Sequence, residues 1–293
     1  MKKIGVVGLG NMGMGIAKNL IKNKFDTTGF DLRNSCLKEL KDSGGNVASS
    51  VENIGKICDA VFIMVMNGNQ VKDVVAKLSP GLKDDGTIIV TATITPEEIR
   101  SAYEIAKKNN IKMIDSPVSG GLQGAHEGTL TLMSAADKNV FNNCKDILKS
   151  ISKDIFHVGK NIGDGQTVKA SLQVFIGATF TAIFESLVLG SKAGIDGKTL
   201  YDVFSSSGVS SPLFKNCAKL IMDRKFENTG SHISTMYKDL GISMGMAKEI
   251  GVPMFTASAA FELFQAGISS YPEGDNWSIV KVLEKMSNTK VEW

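Results

Sequence analysis

The stretch "GVVGLGNMG", residues 5 to 13, places Gly5, Gly8, Gly10 and Gly13 in nine positions and limits what the start of this chain can fold into. Two lysines, an apolar run and small residues could also describe a secretion signal. The glycines and the polar Asn11 interrupt that run, however, and make it a poor membrane-inserting segment. The better reading is a short strand, Lys3 to Val7, that ends in a glycine loop opening a helix. The helical pattern runs from Gly13 to about Asn23, with Ile16, Ala17 and Leu20 on one face. A second strand, Asp26 to Phe30, ends in Asp31.

Strand, G-x-G-x-x-G loop, helix, strand and acid, in that order, suit a bound dinucleotide. Gly8 allows the tight turn, Gly10 lets the backbone approach a pyrophosphate, and Gly13 lets helix and strand pack closely. The helix N-terminus offers N–H groups to the phosphates. Gly8, Leu9, Gly10, Asn11, Met12 and Gly13 are therefore the expected cofactor loop. The Asp31 carboxylate can accept from ribose hydroxyls and would repel a 2′-phosphate, which favours NAD over NADP; Arg33 works against that preference.

The alternation continues. "AVFIMVM" (60–66) and "GTIIVTAT" (86–93) read as buried parallel strands, and "IKMIDSPVSGG" (111–121) as a strand running into a loop. Ligands of open α/β sheets sit beyond the carboxyl ends of strands, so Val65, Met66, Gln70, Thr93 and Ser119-Gly120-Gly121 are expected around one cleft. The turn cluster Asn161 to Gly165 marks a boundary. From Gln166 to about Ala193 one long helix is expected, spanning roughly 40 Å at about 1.5 Å per residue. Helical segments follow around Ser211–Asp223, Ser234–Ile250, Ala257–Ala266 and Ser278–Met286. The expected architecture is an α/β Rossmann domain with a parallel-sheet core over 1–162, and an all-α domain for substrate and subunit contacts over 163–293.

Bulk properties exclude several classes. With 43% hydrophobic and 22% charged residues the chain resembles a soluble globular protein. A net charge of +3 without a basic stripe gives nucleic acid or an anionic membrane little to bind. The longest uncharged run, Ala170 to Phe184, carries Ser171, Gln173 and two threonines; it falls short of the roughly 18 residues of a membrane span and reads as a buried helix. The four scattered cysteines suit a reducing, cytoplasmic setting, and the three histidines do not fall at metal-ligand spacing, so no metal is expected.

Lys169 stands near the start of the long helix among uncharged residues, with Gln173 one turn on and on the same face. A partly buried lysine has its pKa lowered and can exchange a proton with a reacting oxygen. A lysine snorkelling from a helix end fits the same spacing.

"GLGNMG", "DSPVSGG" followed by "GTLTLM", "GQTVKASLQ" and "YKDLGISMGMAKEIGVP" occur in an order that resembles the β-hydroxyacid dehydrogenases over essentially the whole chain. The resemblance implies that Lys169 is the catalytic acid–base and that Gln173 orients the reacting group. It implies that Ser119, Gly120 and Gly121 bind the substrate carboxylate, that Gln70 and Thr93 contact the cofactor, and that Lys238 lies near the nicotinamide. Asp239 is expected to be a local structural partner. The family usually carries Asn-Asn or His-Gln where this chain has Leu172-Gln173, which removes one polar group. "VMNGNQV" (65–71) and "DNWSIVKVLE" resemble the threonate dehydrogenase branch. The implied activity is NAD-dependent oxidation of a CH–OH group in a small hydroxy acid, L-threonate or a related four-carbon sugar acid foremost. The alternatives are 3-hydroxyisobutyrate oxidation, reduction of tartronate or succinic semialdehyde, and, more distantly, a non-catalytic NAD sensor. A homodimer or homotetramer is the implied assembly.

Overall fold

The computed structural model describes residues 2–293; Met1, where the expected first domain begins, lies outside the described residues. Two compact units divide the chain, the first ending at Lys169 and the second running from Ala170 to Trp293, so the division falls inside a helix.

The first unit alternates strands and helices: β1 (Lys3–Val7), α1 (Asn11–Lys22), β2 (Asp26–Phe30), α2 (Asn34–Asp42), β3 (Asn46–Val47), α3 (Val51–Ile57), β4 (Ala60–Ile63) and α4 (Gly68–Leu78). It continues with β5 (Thr87–Val90), α5 (Pro96–Lys108), β6 (Lys112–Asp115), β7 (Val118–Ser119), α6 (Gly121–Glu127), β8 (Leu130–Ala135), α7 (Lys138–Lys149) and β9 (Ser152–Gly159). The strands form one sheet in the order β3-β2-β1-β4-β5-β6-β8-β7, with β9 paired to β8. From β3 to β6 every pairing is parallel. β8 then runs antiparallel to β6 and β7.

Strand alternation divides the apolar residues between the two faces. Ile4, Val6, Phe62, Ile89 and Ile114 pack with Ile16 and Leu20 of α1. Val7, Val61, Ile63, Ile88 and Val90 pack with Ile54, Val71, Val75 and Ile99. Strands buried on both faces are apolar throughout, as the quoted runs are. β9 lacks that signature because most of its side chains are exposed or half-exposed, and the sequence offered no apolar run to mark it.

Strand order reverses between β2-β1 and β4-β5-β6, which opens a crevice at the carboxyl ends of β1 and β4. Gly8 sits there with φ +90, and a Cβ on it would stand 2.2 Å from the Met64 carbonyl oxygen. A Cβ on Gly13 would stand 1.8 Å from the Gly8 carbonyl oxygen, so α1 reaches the loop only because that atom is missing. α5 begins with a capping box, Thr95 accepting from the Glu98 N–H and Glu98 from the Thr95 N–H, with Pro96 in its first turn. That cap ends the Thr91–Ile94 segment after β5 at a defined point.

A helix of 29 residues, α8 (Asp164–Lys192), follows β9. By length and composition it could cross a bilayer. In the second unit Phe180, Phe184, Leu187 and Val188 of α8 are core residues instead. They pack with side chains from α10 (Pro212–Met222), α11 (Ile233–Ile250), α12 (Phe255–Ser270) and the 3-10 turn Asn276–Ile279. α9 (Gly197–Ser206) and α13 (Val280–Ser287) complete this unit, which is helical among the described residues apart from one isolated bridge between His232 and Asp275. α8 and α11 approach closely at Gly177, where a Cβ would stand 2.8 Å from Leu240. The C-terminal segment is tied down by Arg224, which pairs with Glu284 and donates to the Val291 carbonyl at 3.0 Å. All four cysteines are free thiols.

Gly13→Ala tests the close approach of α1 to the loop. Its Cβ can only be accommodated by moving backbone, so the variant should unfold at lower urea concentration, with a loss of about 1–3 kcal/mol.

Candidate active site

The first group of residues surrounds the loop after β1. The Gly8 N–H donates to the Phe30 carbonyl at 2.9 Å, and the Leu9 N–H to Asp31 Oδ2 at 2.8 Å. The Leu9 side chain itself is buried in the core, so its part in the site is played by the backbone. Asp31 Oδ1 accepts from the Arg33 N–H at 2.9 Å and from Arg33 Nε at 3.0 Å. Desolvation is the largest influence on this carboxyl and pushes its pKa up. The Arg33 side chain and the Arg33 and Leu9 N–H groups together outweigh it and hold the pKa below the usual aspartate range. Asp31 is thus an anion fixed at the end of β2.

α1 starts at Asn11 with Gly10 as its N-cap and no side-chain cap. Asn11 is exposed and Met12 half-buried. A Cβ added to Gly10 would meet only the guanidinium end of Arg33, at 3.5 Å, so the space above the loop is open. An open glycine at a helix start, beside a fixed carboxylate, fits a dinucleotide with its pyrophosphate on Gly10–Gly13 and its adenosine ribose toward Asp31.

The loops after β4, β5 and β7 supply the neighbouring residues. Gln70 Oε1 accepts from the Met66 N–H at 2.9 Å, and Asn67 Oδ1 caps α4 by accepting from the Gln70 N–H at 3.0 Å. This holds Val65 half-buried and turns the Met66 side chain outward, 64% exposed. Thr93 lies three residues past β5. Ser119 pairs with Thr131 across β7 and β8. Gly120 and Gly121 follow with φ +124 and +60, and a Cβ on Gly121 would meet nothing within 4 Å.

Two residues without a role in the sequence analysis join these loops to α8. Asp115, at the end of β6, is fully buried; its Oδ2 accepts from the N–H groups of Gly163 at 2.9 Å and Gln166 at 3.2 Å. Gln166 Nε2 donates to Asp115 Oδ1 at 2.9 Å and to the Ala92 carbonyl at 3.0 Å, while its Oε1 accepts from the Ile94 N–H at 3.1 Å. The readable signals were a lone acid ending an apolar strand and an amide one turn before Lys169. Lys169 is itself buried, 6% exposed.

The second unit gathers Gln173, Lys238 and Asp239. Gln173 Nε2 donates to Asp239 Oδ2 at 2.7 Å, and Lys238 Nζ pairs with Asp239 Oδ1 at 2.8 Å. Asp239 is 3% exposed, and Ser243 Oγ donates to its backbone carbonyl at 3.0 Å. An ionised carboxylate only accepts hydrogen bonds, so it fixes the direction of the amide, whose nitrogen faces Asp239 and whose oxygen faces away. A cavity of about 490 Å³ lined by Arg100, Tyr103, Lys112, Asp137 and Lys160 contains none of these residues. Among the described residues no group of His, Cys, Asp or Glu forms a metal cluster.

Two measurements follow from this geometry. Gly10→Ala should leave unfolding free energy within about 0.5 kcal/mol of wild type. Its NADH affinity, read by fluorescence titration, should fall about tenfold or more, a difference of about 1.4 kcal/mol. Burial, the largest influence, pushes the Asp115 carboxyl up to about 6, against N–H bonds from Gln166, Gly163 and Gly165. An unfolded aspartate titrates near about 3.9. Between these values the folded protein holds a proton that the unfolded chain has released. The contribution of Asp115 to stability is therefore fully present below about pH 4 and is lost as pH rises through about 6. The melting-temperature advantage of wild type over Asp115→Asn should narrow across that interval.

Residues 3–159 match the family model of the NAD-binding domain of 6-phosphogluconate dehydrogenase. Residues 163–283 match the model described as NAD-binding of NADP-dependent 3-hydroxyisobutyrate dehydrogenase. A probable mitochondrial 3-hydroxyisobutyrate dehydrogenase of Dictyostelium discoideum is 33% identical, covering 95% of this chain and 89% of that protein. An L-threonate dehydrogenase of Haemophilus influenzae is 30% identical, covering 98% of this chain and 97% of that protein. The crystal structure of a 3-hydroxyisobutyrate dehydrogenase from Salmonella typhimurium superposes with a TM-score of 0.88 at 28% identity, covering 96% of this chain and all of that one. With its glycine loop, doubly wound sheet and helical second half, the chain belongs to the β-hydroxyacid dehydrogenase family of NAD(P)-dependent oxidoreductases acting on CH–OH groups.

Proposed function

We propose that this dehydrogenase uses Lys169 as its general acid–base and acts on a small polyhydroxy acid, L-threonate or a close four-carbon relative, with NAD preferred over NADP. The observation that carries the mechanism is a buried lysine one turn into a helix whose start is hydrogen-bonded to both sides of Thr93. The bound nicotinamide supplies the hydride acceptor in oxidation and the donor in reduction. In oxidation, neutral Lys169 takes the substrate hydroxyl proton on Nζ as the C–H bond breaks and a carbonyl forms; in reduction the ammonium returns it. Ser119, Gly120 and Gly121 hold the carboxylate through hydroxyl and N–H groups, and residues 8–13 with Val65, Met66, Gln70, Thr93 and Lys238 hold the cofactor. Asp31 disfavours a 2′-phosphate. Arg33, paired with it, reduces that discrimination.

Two features support a polyhydroxy acid. "VMNGNQV" and "DNWSIVKVLE" resemble the threonate branch. Gln173, held by Asp239 through its amide nitrogen, keeps a polar side chain at the second of the two positions that follow Lys169 in the family. A substrate of the 3-hydroxyisobutyrate type has one hydroxyl and a methyl group, which suits Leu172 better than Gln173. The segment 163–293 serves as the substrate and oligomerisation domain. Phe175 and Leu189, 70% and 73% exposed on α8, form apolar surface for a second copy in a homodimer or homotetramer. Free cysteines fit a cytoplasmic setting.

The test is NADH or NADPH formation with L-threonate, D-threonate, D-erythronate, 3-hydroxyisobutyrate, D-glycerate and 4-hydroxybutyrate. Threonate or erythronate turnover with NAD supports the reading. Turnover confined to 3-hydroxyisobutyrate overturns the substrate, and cofactor binding without turnover on any acid favours a sensor. Lys169→Ala should bind NADH with near-wild-type affinity and lose about 10²-fold or more in turnover; a fully active variant removes Lys169 from the mechanism.

A further inference from the structure

The side chain of Gln166 makes three hydrogen bonds from a fully buried position, and all three lead to groups outside its own helix. Its amide straddles Thr93: Nε2 donates to the carbonyl of Ala92 and Oε1 accepts from the N–H of Ile94. The second Nε2 hydrogen goes to Asp115, whose other oxygen takes the Gln166 and Gly163 N–H groups at the start of α8. The direction of the amide follows from chemistry. The Ala92 carbonyl only accepts and the Ile94 N–H only donates, so a flipped amide would face like with like at both, and at Asp115 as well when that carboxyl is ionised.

A cap on α8 would need only Asp115. The contacts of Gln166 do something more, because they fix the roll of the helix about its axis. Gly165 adds to this, since a Cβ there would stand 2.6 Å from the Met133 carbonyl oxygen and 2.8 Å from that of Asp115, pressing the first turn onto β6 and β8. Lys169 follows Gln166 by three residues, on a neighbouring line of the same helix. A lysine ammonium stands on the order of 8 Å from its helix axis, so a roll of about 10° displaces it by roughly 1.4 Å. A displacement of about 1 Å at a reacting group can cost on the order of 10²-fold in rate.

We propose that Gln166 is a positioning residue, which sets the Lys169 ammonium in register with Thr93 through paired hydrogen bonds to Ala92 and Ile94 and an anchor on Asp115. This rests on the reading of Lys169 as the acid–base group. An apolar side chain of similar volume could fill the same buried space, but it would leave the roll unspecified and three polar groups unsatisfied. Gln166 itself need touch neither substrate nor cofactor.

The experiment compares wild type, Gln166→Met and Gln166→Glu, with Lys169→Ala as reference. Gln166→Met keeps the volume and removes every hydrogen bond; Gln166→Glu keeps the acceptor for Ile94 but sets a carboxylate oxygen against Asp115. Folding is confirmed by circular dichroism and by NADH binding. The [13Cε]lysine signal of Lys169, assigned by its absence in Lys169→Ala, is titrated by NMR on each protein without substrate. Turnover and its pH profile are measured on the best acid of the panel. The expected result is a Lys169 titration displaced by about half a pH unit or more. Turnover should fall about 10- to 100-fold with NADH affinity held within about twofold. An unchanged titration in a folded variant, with turnover within about twofold of wild type, overturns the proposal. Gln166→Glu decides alone if Gln166→Met fails to fold. Should Lys169→Ala remain active, the acid–base reading falls, and the titration still decides whether Gln166 places that ammonium.

Discussion

The site depends first on a contact between two backbones. With no Cβ on Gly13, the start of α1 meets the carbonyl of Gly8, and Gly8 in turn passes under Met64 at the end of β4. These approaches close the layer between helix and sheet and leave the N-terminal turn of α1 facing the crevice where strand order reverses. A side chain at position 13 would separate α1 from β1 and disturb the position of Asp31, whose carboxylate accepts from the Leu9 N–H within that same loop. The packing of α1 and the shape of the glycine loop rest on the same few atoms.

Three carboxylates, two at strand ends and one inside α11, show how burial and hydrogen bonding are balanced differently in one molecule. Asp31 is only partly withdrawn from water and has a guanidinium beside it, so hydrogen bonds outweigh desolvation and the anion is favoured. Asp115 is withdrawn completely and receives N–H groups but no cation, so desolvation wins. Asp239 is nearly as buried and has the Lys238 ammonium at 2.8 Å. The first suits contact with sugar hydroxyls at the rim of a cleft. The second is a joint, where a low dielectric strengthens directional bonds from the start of α8. The third sets the orientation of an amide.

Legibility from sequence followed the range of the interaction. The glycine loop, the apolar strands of the parallel sheet and the long helix are written in local spacing, and the structure has them within two or three residues of the expected bounds. α1 begins at Asn11, two residues before Gly13, because helical backbone can precede the first inward-facing residue. β9 carries too little buried surface to leave a periodic trace. The Asp115–Gln166 joint lies inside two of the quoted motifs, yet its partners are 51 residues apart and its logic is a set of donors and acceptors matched in space. No spacing rule reports such a match. The carbonyl direction of Gln173 is hidden for the same reason, since it depends on Asp239, 66 residues away.

That last dependence explains why the reaction class can be read from this chain more readily than its substrate. Oxidation of a CH–OH group by a bound nicotinamide makes common chemical demands: a place for the dinucleotide and a group to exchange the hydroxyl proton. The part of the substrate beyond the reacting carbon makes no such common demand. It is met by a few polar side chains whose value depends on which way they point.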